Sequence, residues 1–363
     1  VALIHPRSLE LWHEWQRSRF RARSAAVGER LRSLRPGGAS GQPPQYLLHS
    51  RKGEGEDRLL IAIDSDSAAA RAALMTALPY LHAGVDVLAP ADLDLPELAG
   101  SAWQRSRTTA PTELLDAGAT RCVITLGGDR PAGALAHDWA LGADIPAAVV
   151  QHRPLTPYAP PLPPHSTLLA WTEADGQFHR SGREDVEVRA VGSQLLWQLA
   201  HEGRADGDGR DRQEVTAELI TSQRPVFLDQ EETPGLPRRL SVRAARSFCR
   251  SESAVLRPRG SRRDALTRGL HTVLRRRGVE FEDPQTPLFD PPRPVVGILD
   301  PQLLEAAARG VPTWVYGRGM PSWVHEYWQR YGLRHWGGPP SPVPVPSADE
   351  PSRLIAQIVD GHE

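Results

Sequence analysis

From residue 58 onward, short β-rich runs alternate with helical stretches, and that alternation leaves few folds open to the chain. The runs are Arg58 to Asp64, Gly84 to Ala89, Arg121 to Leu126, Ala147 to His152, Thr167 to Trp171 and Val186 to Gly192. Several are apolar almost throughout, as strands buried on both faces are, so the pattern predicts a parallel sheet covered by helices. The rhythm lapses across Glu202 to Arg212, where glycines and opposed charges offer nothing to bury. It resumes with Pro225 to Asp229, Ala254 to Arg257, Val279 to Glu282, Pro294 to Leu299 and Thr313 to Tyr316. Helical stretches at Leu236 to Arg250, Arg262 to Arg277 and Pro301 to Arg309 separate these runs. Two α/β domains are therefore expected, at 50–212 and 213–346, with a final helix in 347–363. A length of 363 residues suits that division, since single domains usually hold roughly 100 to 200 residues.

Residues 1–49 are read as a basic helix and linker. Ser8 is placed to cap a helix that carries Leu9, Leu11, Trp12 and Trp15 among Arg17, Arg19, Arg21, Arg23, Arg30 and Arg32. Its tryptophans are expected to dock on the first domain, with a membrane-surface or protein contact through residues 8–34 as the alternative. Pro36 to Pro44 reads as a flexible linker. A net charge of −1 and a pI near 7.0 argue against nucleic acid as a partner. Cys122 and Cys249 form no disulfide framework or zinc spacing, and no apolar stretch approaches the roughly 18 residues of a membrane span. The start, Val-Ala-Leu-Ile-His-Pro-Arg, lacks the apolar core of a signal peptide, and a cytoplasmic location is expected.

In open α/β sheets, ligands bind beyond the carboxyl ends of the strands, which directs attention to four places. Gln151-His152-Arg153 follows one run, and a histidine there can serve as a general base or hydrogen-bond a phosphate. Glu173 opens a helix after Trp171-Thr172, where capping competes with catalysis; Gly192-Ser193 forms a small-residue elbow ahead of another helix. Arg257-Pro258-Arg259-Gly260-Ser261 combines guanidinium groups with backbone amides, the requirements for gripping a diphosphate. In the last place, Asp300 as N-cap and Pro301 at the first helical position open a helix through Gln302 and Glu305 that ends at Gly310. Gly127-Gly128 after another run lets backbone approach a ligand but is too short for a dinucleotide fingerprint. The aromatic group Trp314, Trp323, Tyr327, Trp328, Tyr331 and Trp336 is read mainly as packing, and His325 and His335 lack a metal-ligand pattern.

The stretches Val149-Val150-Gln151-His152, Thr156-Pro157, Leu169-Ala170-Trp171-Thr172-Glu173-Ala174-Asp175 and Val191-Gly192-Ser193-Gln194-Leu195-Leu196-Trp197 resemble the middle of actinobacterial GT-B-like proteins. Those proteins look like distant relatives of glycosyltransferases and of CDP-glycerol glycerophosphotransferases of cell-envelope polymer synthesis. Leu303-Leu304-Glu305-Ala306-Ala307-Ala308-Arg309-Gly310-Val311-Pro312 adds a Glu-Ala-x-x-x-Gly-x-Pro helix, which in GT-B enzymes closes over the donor nucleotide or diphosphate. The resemblance implies two Rossmann-like domains facing a cleft and a metal-independent transfer of a sugar from a nucleotide-activated donor to an acceptor hydroxyl. The donor is then a co-substrate, and no cofactor or metal is expected. Its implied site is His152 and Glu173 for catalysis, with Arg257, Arg259, Ser261, Asp300, Gln302, Glu305, Gly192 and Ser193 for the donor. This chain departs from the family pattern at His152-Arg153, at Arg259-Gly260 and at Asp300-Pro301, where a carboxylate stands in place of a small hydroxyl. A nucleotide-sugar 2-epimerase and a catalytically degenerate binding paralogue are therefore the alternatives.

Overall fold

The computed structural model describes residues 2–28, 44–205, 223–230, 232–258, 265–344 and 348–361. Most of the expected linker, the expected boundary near 212, and the site candidates Arg259 and Ser261 lie outside the described residues. The chain divides into two compact units, one of Ala2–Gln194 with Ala348–Glu363 and the other of Leu195–Ser347.

The strands of the first unit are β1 (Tyr46–Arg51), β2 (Arg58–Ala62), β3 (Gly84–Pro90), β4 (Gln104–Thr108), β5 (Thr120–Thr125), β6 (Ala147–Val150), β7 (Ser166–Ala170) and β8 (Glu187–Ala190). Its helices are α1 (Leu9–Gly28), α2 (Ala68–Leu74), α3 (Pro131–Gly142) and α4 (Glu173–Arg180), and α5 (Gln194–Ala205) leads into the second unit. The strands form one eight-stranded sheet in the order β4-β1-β3-β2-β5-β6-β7-β8. From β3 to β8 neighbours are parallel, as the alternation predicts. The expectation of a wholly parallel sheet is corrected at one edge, where β1 runs antiparallel to both β3 and β4. Neither strand carries a long apolar run: β4 is Gln-Arg-Ser-Arg-Thr with largely exposed side chains, and so escapes a search for doubly buried strands.

Alternation along β2 sends successive side chains to opposite faces, and both faces are covered. Leu59 and Ile61 pack with Ala70 and Leu74 of α2 and with Ile355 and Val359 of the C-terminal helix Pro351–Asp360 (α10). Leu60 and Ala62 meet Ala132, Ala136 and Ala140 of α3. The docking of α1 is as expected: Leu3 is buried, Trp12 Nε1 donates to Tyr158 O at 3.1 Å, and Trp15 stacks on Tyr158 with centroids 5.5 Å apart.

In the second unit, β9 (Val226–Leu228), β10 (Val255–Arg257), β11 (Val295–Gly297) and β12 (Thr313–Val315) form a parallel sheet in the order β10-β9-β11-β12. Its helices are α6 (Arg238–Ser251), α7 (Ala265–Arg276), α8 (Gln302–Ala308) and α9 (Ser322–Arg330). The expected strand at Val279 to Glu282 is reduced to one parallel bridge between Leu256 and Phe281. Trp314, Trp323, Tyr327 and Trp328 are buried, and Trp328 Nε1 donates to Ile298 O at 2.6 Å, so packing accounts for these rings. Cys122 and Cys249 are free, and burial pushes both thiols up to about 12. Among the described residues no helix is long and apolar enough to cross a membrane.

Candidate functional site

Strand order locates a ligand crevice before any side chain is considered. In each sheet, consecutive strands fall on opposite sides of a central strand, and the loops leaving the carboxyl ends diverge there. In the first unit this switch lies between β2, which β3 flanks on one side, and β5 on the other. In the second it lies between β9 and β11.

At the first switch, β2 leads to Asp64 and β5 leads to Gly127-Gly128-Asp129-Arg130 at the head of α3. The Asp64 carboxylate accepts from Ala132 N at 2.9 Å and Gly133 N at 2.8 Å, satisfying amides that a helix start leaves open. Burial pushes the Asp64 carboxyl above its ordinary range, and those two amides oppose the shift. Gly127 has φ +133°, and a Cβ on Gly133 would lie 2.1 Å from Gly127 O, so glycine is required for the turn to close on the helix.

The neighbouring strand ends bring His152, Arg153 and Gly192-Ser193 to the same edge of the sheet. Burial, with the charges of Arg153 and Arg130, pushes His152 down to about 3 against a backbone hydrogen bond at Val150. Its imidazole is neutral at physiological pH, suited to hydrogen bonding a ligand and too weakly basic for efficient proton removal unless an anion raises it. Arg153 lies 3.9 Å from Asp129. Gln151 staples two of the loops: its side chain accepts from Trp171 N at 2.9 Å, and its backbone carbonyl accepts from Trp171 Nε1 at 2.8 Å. Gly192 has φ +90° and Ser193 immediately precedes α5, so the expected elbow is present. Glu173 is exposed at the first position of α4, where Thr172 caps the helix and Glu173 accepts from Gln177 at 2.6 Å.

At the second switch, β9 leads to Asp229-Gln230 and β11 to Leu299-Asp300. Gln230 bridges the two, accepting from Leu299 N at 2.8 Å. His271 of α7 meets Asp229 at 2.9 Å, and a pocket lined by Asp229, Gln230, Arg238, Thr267 and His271 opens beside them. Asp300 is buried and its Oδ1 accepts from Gln302 N at 2.9 Å; the cap position falls on Pro301 and the helix begins at Gln302, one residue later than expected. Gln302 and Glu305 are partly buried on α8. Arg257 ends β10, one strand from the switch, where its carbonyl accepts from Asp229 N at 3.0 Å; its guanidinium is engaged, Nη1 meeting Glu282 at 3.0 Å and Nη2 donating to Pro284 O at 3.1 Å. Arg293 reaches the same carboxylate at 2.5 Å. Among the described residues no group of three or more His, Cys, Asp or Glu could hold a metal ion.

The structure thus adds Arg130, Asp229, Gln230, Arg238 and His271 to the residues that sequence singled out. Asp229 closes an expected strand and was legible as a strand end; His271 sits in a helix and nothing in its local sequence points to Asp229.

No family model matches the chain, and no curated protein matches it by sequence. Among solved structures it is similar to UDP-GlcNAc 2-epimerase of Methanocaldococcus jannaschii, solved in complex with UDP-GlcNAc and UDP, with a TM-score of 0.52 and 12% identity over 83% of this chain and 99% of that one. UDP-GlcNAc 2-epimerase of Neisseria meningitidis bound to UDP-GlcNAc gives 0.44 at 12% identity, covering 84% of this chain and 91% of the other. Anabaena Alr3699/HepE in complex with UDP gives 0.44 at 14% identity, covering 84% and 89%. The first of these likenesses shows the fold, an α/β protein of two Rossmann-like units of the GT-B type.

Proposed function

We propose that the protein binds a nucleotide-activated sugar and moves the sugar, or a related phosphate-bearing unit, to an acceptor hydroxyl. The carrying observation is the fold shared with an enzyme solved with UDP-GlcNAc and UDP, joined to polar strand ends at both switch points. In this reading the acceptor oxygen bonds to the transferred carbon as the C–O bond to the diphosphate breaks, and the nucleoside diphosphate leaves with the electron pair. For a phosphate-bearing unit it bonds to phosphorus as the P–O bond within the diphosphate breaks, and the nucleoside monophosphate leaves with the pair. Arg257, Arg259 and Ser261 bind the diphosphate, with Asp300, Gln302 and Glu305 lining the donor's ribose side and Gly192-Ser193 giving close approach. His152 contacts the phosphate or takes the acceptor's proton once bound anion has raised its basicity; Glu173, tied to Gln177, has the smaller part. The arginines supply the cationic charge, so the reading assigns no resident metal.

A 2-epimerase is the second reading, favoured by the 99% coverage of the Methanocaldococcus enzyme. A binding paralogue is the third, favoured by the engagement of Arg257 with Glu282. Incubation with UDP-, GDP-, CDP- and ADP-sugars, followed by NMR of the sugar protons, separates them. Epimerised sugar without acceptor supports the second, and free nucleotide formed only with an acceptor supports the first. Binding without turnover across an acceptor panel supports the third. CDP-glycerol belongs in the panel because of the resemblance to glycerophosphotransferases.

A further inference from the structure

A separate cavity of about 480 Å³ lies along the outer flank of α3, within the size range of small-molecule sites. Its floor is apolar: Leu9, Ala134, Ala140, Ile145, Pro161 and Leu162 line it, and most of these are buried. His137 also faces it. Burial pushes that imidazole down to about 4, so it adds no charge to the floor.

The rim is charged and uneven. Asp138 and Asp144 are exposed, one on the last turns of α3 and one just beyond it, at the negative end of the helix dipole. The carbonyls of Trp139, Ala140 and Leu141 there are taken by the amides of Ala143, Asp144 and Ile145, so the carboxylates are the acceptors the rim offers a cation. Arg7 and His165 stand as the basic rim residues. Two carboxylates and a helix C-terminus against one guanidinium select a cation, and the floor selects an apolar body.

We propose that this cavity is a binding site for a compact organic amine, an ammonium head at Asp138 and Asp144 and an apolar body against Ala134, Ile145 and Leu162. The inference does not rest on the proposed function. It nevertheless touches the candidate site: a Cβ on Gly128 would lie 3.3 Å from Pro163 and 3.7 Å from Leu9, so the cavity's inner end is the back of the turn that carries Asp129 and Arg130. Behind the wall, the buried Thr125 hydroxyl lies 2.8 Å from Nε2 of the lining His137 and accepts from Gly127 N at 3.0 Å, which ties the cavity to the same turn.

The test uses 2-phenylethylamine, 2-phenylethanol and 3-phenylpropionate as probes, titrated into the full chain by saturation-transfer NMR. The amine is expected to bind about tenfold more tightly than the carboxylate, with the alcohol between them. The pair Asp138→Asn with Asp144→Asn should remove the amine's advantage. Asparagine tolerates the left-handed backbone of Asp144 at φ +56°, so this variant keeps the native turn. Ala134→Phe should weaken all three probes by filling the floor. Binding that ranks the carboxylate with the amine, a preference unmoved by the Asp pair, or absence of binding by every probe would each overturn the proposal. Should Ala134→Phe fail to fold, the Asp pair, at exposed positions, still decides it.

Discussion

Arg257 meets Glu282 at 3.0 Å, and Arg293 takes the other oxygen of that carboxylate at 2.5 Å, so one largely buried acid holds two largely buried guanidiniums. Removing the shared partner leaves both cations without their counter-ion in a poorly solvated place. Glu282→Ala should therefore destabilise the second unit by about 3–5 kcal/mol. Urea denaturation followed by tryptophan fluorescence measures it. An unshifted midpoint would mean that water replaces the carboxylate without cost.

Asp64 and Gly133 make the corresponding contact in the first unit. Asp64→Ala should cost about 1–2 kcal/mol, as loss of a helix cap does, and should speed hydrogen exchange at Ala132 and Gly133. Gly133→Ala should be worse than a helix-favouring substitution normally is, because its methyl meets Gly127 O and must displace the turn. Chemical denaturation of the two variants distinguishes loss of a cap from loss of the turn.

Burial lowers four histidines of the first unit in the folded state from an ordinary value near 6.5: His137 and His179 to about 4, His152 to about 3, and His49 in the same direction. The unfolded chain then binds more protons below that value. The stability they contribute is present above pH 6.5 and is lost as pH falls through the folded values. The thermal midpoint should drop steadily between pH 6.5 and 4, and His137→Gln should flatten part of that slope. A midpoint independent of pH in this window, for wild type and variant alike, would contradict the burial of these rings.

The C-terminal helix α10 belongs to the first unit through Gln194, which donates to Glu350 at 2.9 Å and accepts from Ser352 N at 3.0 Å. Tyr80 OH donates to the other Glu350 oxygen at 2.7 Å, and His82 N donates to Asp360 at 2.9 Å. Deleting residues 348–363 exposes Ile355 and Val359 along with the face of the sheet they cover, and each buried aliphatic side chain is worth about 1.5–3 kcal/mol. Calorimetry of the truncated chain should show a marked loss in the first unit's transition. Gln194→Ala should show a smaller loss of about 1 kcal/mol.

The parallel strands were legible because apolar runs such as Leu59 to Ile63 and Ala147 to Val150 must be buried on both faces. The antiparallel edge was not, since polar β4 pairs through backbone groups that sequence does not display. Strand ends gave His152, Gly192 and Asp300 directly. Contacts across sequence, such as His271 with Asp229 or Arg293 with Glu282, depend on which helices and loops cover which strands, and no local pattern encodes that. The same holds for Gln151 and Trp171, whose mutual hydrogen bonds depend on β6 and β7 being neighbours.

Recognition of a nucleotide-activated sugar by this chain is tested most directly by thermal stability under ligand. Purified protein is titrated with UDP, GDP, CDP, ADP and their sugar conjugates, in parallel with Arg257→Ala and Gln230→Ala. A ligand at 100 times its Kd adds about 2.7 kcal/mol, a shift of several degrees. The expected result is a shift for one nucleotide class, reduced in both variants. No shift from any nucleotide or conjugate at millimolar concentration would contradict it.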